Sequence, residues 1–200
     1  MAEQTVRRSP LADAWGRLAD VSRACDGAVS IEEIPFLAQV NLRLDPKGPA
    51  ADAIGLELGL PLPTEPNTST RSGDLAALWL GPDEWLILGP AGTNGDLEAR
   101  LRTAAGGAHA SVADVSAQRT TLVIAGPCAR DLLAQGCTLD LHPRAFGDGS
   151  CAQTTLARAQ VVLVGHGPAY RVLVRASFAA YLADWLIDAS LEFTGPPISG

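Results

Sequence analysis

Between residues 37 and 115 the apolar pattern switches repeatedly between a two-residue and a 3.6-residue period, and the order of those switches restricts the fold more than any single motif. Gln39 to Leu44 sets Val40, Leu42 and Leu44 on one side and Asn41 and Arg43 on the other, the signature of a half-buried strand. Ala50 to Leu58, bounded by Pro49 and Gly59, reads as a helix. The segment LPLPTEPNTSTRSG reads as a loop ordered by its prolines. Leu75–Leu80 and Trp85–Leu88 flank Gly81-Pro82-Asp83-Glu84, which predicts a hairpin with Trp79 and Trp85 in the core. A helix carrying Leu97 and Leu101, with Asn94 as its cap, and a strand from Ser111 to Val115 complete the series. Strand, helix, strand, strand, helix, strand is the split βαβ order.

The second half echoes it. Thr120–Ala125 is a strand and Pro127–Gln135 a helix; after a long loop come strands at Cys151–Leu156, Val161–Val164 and Tyr170–Val174. Ser177 is the expected cap of a last helix whose Phe178, Tyr181, Leu182, Trp185 and Leu186 form one stripe. Ser9 and Pro10 predict an N-terminal helix over about 10–24, with Leu11, Trp15, Leu18 and Ser22 on one face and β character from Val29. The expectation is an α+β chain, one domain over 1–200 built from duplicated βαββαβ repeats at about 37–115 and 119–192.

Composition narrows the function. A net charge of −7 disfavours a general nucleic-acid binder, which needs a basic face to neutralise phosphates. Apolar runs such as Val161–Val164 are far too short to span a bilayer. The N-terminus lacks the apolar core of a secretion signal, and Cys25, Cys128, Cys137 and Cys151 show no paired spacing. A reducing cytoplasm is the expected compartment.

The stretch Asp114–Gln153 carries the candidate chemistry. Cys128, Cys137, His142 and Cys151 are soft ligands within one region, but their spacing lacks the close pairs of structural zinc sites. Gly89, Gly92 and Gly95 match neither phosphate-loop pattern, and Pro90 stands where a donor would be needed. His109, two residues after Gly106-Gly107, and His166, between Gly165 and Gly167, sit in turn-like contexts that read as solvated. In the loop after Cys137, Asp140, His142, Arg144 and Phe146 fall on alternate positions and project together if the loop is extended. Asp140 then fixes the His142 tautomer or pairs with Arg144. Together with Arg119 these residues make a candidate subunit interface, since Arg and aromatic side chains are enriched at interface cores. No residue is assigned a catalytic, cofactor-binding or metal-binding role.

The segments NLRLDP (41–46), LGLPLPTEPNT (58–68), LWLGPDEWLIL (78–88), QRTTLVIAGPCARDLLAQGCTLDLHPRAF (118–146), CAQTTLARAQVVL (151–163) and RASFAAYLADWLIDAS (175–190) closely resemble the gamma subunit of heterotetrameric sarcosine oxidase. The resemblance implies a fold related to folate-binding aminomethyltransferases. It implies a non-catalytic assembly subunit of an oxidase that demethylates sarcosine to glycine, giving hydrogen peroxide and formaldehyde or methylenetetrahydrofolate. It places FAD, FMN, NAD and tetrahydrofolate in the alpha and beta subunits and zinc in delta, and makes those three subunits the partners. The alternative is a free-standing folate-binding transferase-like protein. Against the YgfZ-like group, whose motif continues from Gly-Cys to an aromatic residue, Gly136-Cys137 continues as Thr138-Leu139-Asp140.

Overall fold

A computed structural model of the chain describes residues 7–195. Its strands form two five-stranded sheets in which neighbours run antiparallel. The first has the order β3 (Ser69–Ser72), β4 (Leu75–Gly81), β5 (Glu84–Gly89), β2 (Ala38–Arg43), β6 (Ser111–Asp114). Val40, Leu42, Trp85 and Ile87 point from one face into a core closed by Ile54 of α2 (Pro49–Leu58) and by Leu97 and Leu101 of α3 (Asn94–Ala105). Helix α2 forms where the sequence places its stops: Pro49 in the first turn needs no N–H partner, and Gly59 takes the left-handed conformation at φ +66° that ends the helix.

The second sheet has the order β8 (Cys151–Leu156), β9 (Ala159–His166), β10 (Ala169–Arg175), β7 (Arg119–Ala125), β1 (Ser30–Ile34). One face packs Leu122, Ile124, Leu163 and Val172 against α1 (Trp15–Ala24), α4 (Ala129–Ala134) and α5 (Ala176–Ala189). Position by position the sheets match, β3-β4-β5-β2-β6 against β8-β9-β10-β7-β1. The two layers therefore share one strand order, but neither repeat is the plain βαββαβ: both have three strands between their helices, and the second has no strand after its last helix. In the first repeat the additional strand is β3, which ends the segment expected to be loop. Ser72 and Leu75 pair directly across Gly73-Asp74, a two-residue turn with Gly73 at φ +55°.

The last strand of the second sheet comes from elsewhere in the chain. β6 follows α3 within the first repeat, but its counterpart β1 precedes both repeats and pairs along β7 from Ser30↔Ala125 to Ile34↔Thr121. The N-terminal segment is thus part of the second layer, with Leu11, Leu18, Val21 and Ile31 in its core. Only Trp15–Ala24 of the expected 10–24 helix is α-helical; residues 10–14 are turns, and the Ser9 hydroxyl accepts the Leu11 N–H at 2.9 Å.

The helix-free faces of the two sheets meet. Ala76, Leu78, Leu86 and Leu88 from the first pack on Cys151, Val162, Val164 and Leu173 from the second, so β4, β5 and β9 bury both faces. Their continuous apolar runs are the pattern of doubly covered strands. Two expected caps are absent. Asn94 donates from Nδ2 to the Asp114 carboxylate at 2.6 Å and α3 starts from Thr93, while α5 starts from Arg175 instead of Ser177.

Candidate functional site

The loop from Cys137 to Ser150 is folded back on itself, which alters the meaning of its alternating residues. The Asp140 carboxylate accepts the His142 N–H at 2.9 Å, and His142 Nδ1 accepts the Arg144 N–H at 3.2 Å. The His142 carbonyl then accepts from both Ala145 and Phe146, at 2.8 and 2.9 Å. Side chains that bond backbone two residues ahead turn the chain, so the segment is not extended and its alternate residues do not share a face. Asp140 and Arg144 form no ion pair; with His142 they are exposed. Phe146 points the other way. At 6% exposure it belongs to the second sheet's core, with its ring stacked on Tyr170, and it is not presented to a partner as the interface reading required.

The loop lies on the end of β9. A Cβ built on Gly165 would stand 2.0 Å from the Gly147 carbonyl oxygen, so only glycine lets the loop backbone reach the strand. Beside it is a polar cluster that bridges the two sheets. Arg71 of β3 donates from Nη2 to both Asp148 oxygens at 2.8 and 2.9 Å and contacts His166, whose other ring nitrogen faces Arg171 Nη2 at 3.4 Å. Burial, then the charges of Arg171 and Arg71, hold the imidazole pKa below its ordinary value against the opposing pull of Asp148. His166 is therefore not the solvated turn residue its glycine neighbour implied. Only Arg171, five positions on, is local to it; Arg71 and Asp148 lie 95 and 18 positions away and nothing in the local pattern points to them.

Arg119 sits at the opposite end of the inter-sheet layer from this loop. It begins β7 and stands directly across from Arg175, the last residue of β10. Gln160, near that end of β9, is five residues from Gly165, roughly 16 Å along a strand. The five interface candidates are thus split between two ends of the sheet. Arg119 and Arg175 line a groove of about 250 Å³ with Gln153, Thr154, Thr155 and Gln160. Burial and the adjacent Arg175 charge hold the Arg119 pKa below the usual guanidinium value, partly offset by Glu84.

The cysteines do not converge with His142. Cys25 and Cys137 belong to the second sheet's helical core, and Cys128 packs against it. Cys151 lies between the sheets with its thiol directed at the carbonyls of Thr68 and Trp79, at 3.1 and 3.4 Å. Burial pushes the Cys151 pKa up to about 11, so this thiol is an unreactive packing group. Among the described residues no three His, Cys, Asp or Glu side chains gather as a metal site would require. Nor does any described helix have the length and apolarity to cross a membrane. The exposed apolar side chains cluster partly on α5, whose stripe is rotated from the expected one. Ala179, Leu182, Ala183 and Leu186 are buried, leaving Phe178 and Tyr181 44% and 40% exposed.

Two antiparallel sheets of this order, face to face and each backed by helices, define a protein of the aminomethyltransferase fold. The glycine cleavage system aminomethyltransferase T from Bartonella henselae has a TM-score of 0.70 to this chain at 13% identity, over 92% of this chain and 57% of that one, a likeness of fold alone. The family is narrower than the fold. The model of the sarcosine oxidase, gamma subunit family matches residues 43–192, and the chain belongs to that family. Sarcosine oxidase subunit gamma from Corynebacterium sp. (strain P-1) is 39% identical over 197 residues, 98% of this chain and 95% of the relative. The subunit gamma from an Arthrobacter species matches to the same extent. A chain of the heterotetrameric sarcosine oxidase from Corynebacterium sp. U-96 has a TM-score of 0.90 at 35% identity, covering 98% of this chain and all of that one.

Proposed function

We propose that this chain is an assembly subunit of a heterotetrameric sarcosine oxidase and that it contributes surface, not catalytic groups, to that enzyme. The observation that carries the reading is the match along nearly the whole chain, in sequence and in fold, to a chain of a heterotetrameric sarcosine oxidase. Its partners are then the alpha, beta and delta subunits in the cytoplasm. FAD, FMN, NAD and tetrahydrofolate belong to alpha and beta, and zinc to delta. The complex oxidises the methyl group of sarcosine, yielding glycine and hydrogen peroxide with formaldehyde or methylenetetrahydrofolate. Arg119, Asp140, His142 and Arg144 remain candidates for contact with those subunits; Phe146 does not, because its own core already covers it.

Co-expression tests the reading. With all four chains present, a flavin-bearing oxidase is expected to purify with this subunit at equal stoichiometry, and omission of this chain is expected to lower the yield of active complex at least tenfold. Equal yield and activity without it would remove the assembly role. The likeness of fold to an aminomethyltransferase favours one alternative, a free-standing folate-binding protein. Calorimetry on the isolated chain with a reduced folate separates the two, since only the alternative predicts micromolar or tighter binding.

A further inference from the structure

We infer that the groove between Arg119 and Arg175 binds a carboxylate. The two guanidinium groups belong to residues placed directly opposite each other on neighbouring antiparallel strands. Like charges at such positions repel and weaken the pairing. Nothing in the chain offsets this by an ion pair: among the described residues neither arginine has a carboxylate oxygen within 4.0 Å, whereas Arg17, Arg43, Arg71, Arg100 and Arg102 each have one. The nearest acidic influence on Arg119 is Glu84, whose carboxylate instead accepts from Asn41 Nδ2 at 2.8 Å.

The rest of the groove suits the same ligand. Thr155 brings a hydroxyl and Gln160 an amide, both able to donate. Gln153 is partly committed, since its Nε2 donates to the Leu80 carbonyl at 3.0 Å. Arg175 is also the residue from which α5 starts; the first turn of this 14-residue helix contains no acidic side chain, and its Ala176 N–H donates to the Gln118 carbonyl at 2.9 Å. A volume of about 250 Å³ is below the usual range for whole small-molecule sites, and it accommodates a carboxylate group or a short dicarboxylate. Planar forked donors favour a planar two-oxygen acceptor.

That carboxylate comes either from a free small acid or from an acidic side chain of a neighbouring subunit; the second source rests on the assembly role proposed above. Two measurements on the full chain distinguish them. In the first, thermal unfolding of the isolated protein is followed with succinate against sodium chloride of equal ionic strength. If the source is a free acid, succinate at ten times its Kd raises the midpoint by about 3–6 °C. Arg119→Gln and Arg175→Gln each abolish that rise, while their midpoints without succinate equal or exceed that of the unmodified chain because repulsion is relieved. In the second, the four subunits are co-expressed and the complex is washed at rising salt. If the source is a partner's side chain, either Gln variant lowers retention of this subunit at least tenfold, and Arg119→Lys restores it only in part. An unmodified chain that enters no complex would remove the assembly role while the succinate measurement still judges the groove. No succinate effect together with unchanged retention of both variants would overturn the proposal. So would Gln variants that lose several degrees of stability without succinate, because the arginines would then be holding the fold.

Discussion

The ring of Phe146 stacks on that of Tyr170, with centroids 6.5 Å apart and planes 19° from parallel. This contact makes Phe146 an internal anchor of the loop and leaves Arg144, two residues earlier, in solvent. Phe146→Ala is expected to cost about 3–5 kcal/mol of stability, the usual range for truncating a buried Phe. Arg144→Ala is expected to stay within about 0.5 kcal/mol, as a surface change that breaks no ion pair. Urea unfolding of the two single variants checks this. Equal effects of the two would contradict the division of the loop into a buried and an exposed side.

The loop also shows where the sequence was legible and where it was not. Alternation of Asp140, His142, Arg144 and Phe146 was visible, but a two-residue period places side chains on one face only if the backbone is extended. Asp140 and His142 instead bond the chain two residues ahead and turn it. Longer apolar segments were easier. β2, β4, β5, β7 and β9 stand where their Val, Leu and Ile runs are, because burial on one or both faces leaves few alternatives. β3 was obscured by the prolines before it, although Gly73-Asp74 between STRS and LAAL carried a hairpin signal. In α5 the aromatic Phe178 and Tyr181 mask the true stripe, because Leu182 and Leu186 share the buried face with the small Ala179 and Ala183. Contacts between residues distant in sequence, such as Arg119 with Arg175 or His166 with Arg71, depend on strand order and register, and local pattern does not encode them.

His166 gives the protein a defined acid response. Burial and the flanking Arg171 and Arg71 depress its folded pKa below 6.5, its ordinary value, so the folded state takes up a proton less readily than the unfolded chain. The resulting stabilisation is complete above about pH 6.5 and declines as the pH falls through that value toward the depressed folded pKa. Asp148 acts in a separate, lower window. The Gly167 N–H, with Arg71 and His166, holds its carboxyl below the usual range, so its contribution is lost only as the pH falls below about 4. Thermal midpoints at pH 7.5 and 5.5 are expected to drop for the unmodified chain and to drop less for His166→Gln. Parallel declines would show that His166 is not the group responsible.

The origin of β1 leads to a prediction about truncation. Its sequence, SIEEI, offers only Ile31 and Ile34 against two consecutive glutamates, a composition that blunts an edge strand and conceals it from pattern reading. Glu33 nevertheless ties the segment together: it accepts from the Ser9 hydroxyl at 2.6 Å and from Trp15 and Thr120. β1 also completes the second sheet by covering the free edge of β7. Deleting residues 1–36 exposes that edge and removes Leu11, Leu18, Val21, Val29 and Ile31 from the core. At about 1.5–3 kcal/mol for each large apolar side chain, the loss is comparable with the whole stability of a domain, roughly 5–15 kcal/mol. The shortened chain is therefore expected to lack a cooperative thermal transition and to aggregate. Glu32→Ala, at an exposed position on the same strand, is expected to unfold like the unmodified chain. A peptide spanning residues 7–36, added to the shortened chain during refolding, should restore the transition by supplying the missing strand and helix from outside. A shortened chain that unfolds cooperatively within a few degrees of the full-length protein would show that the repeats close without β1.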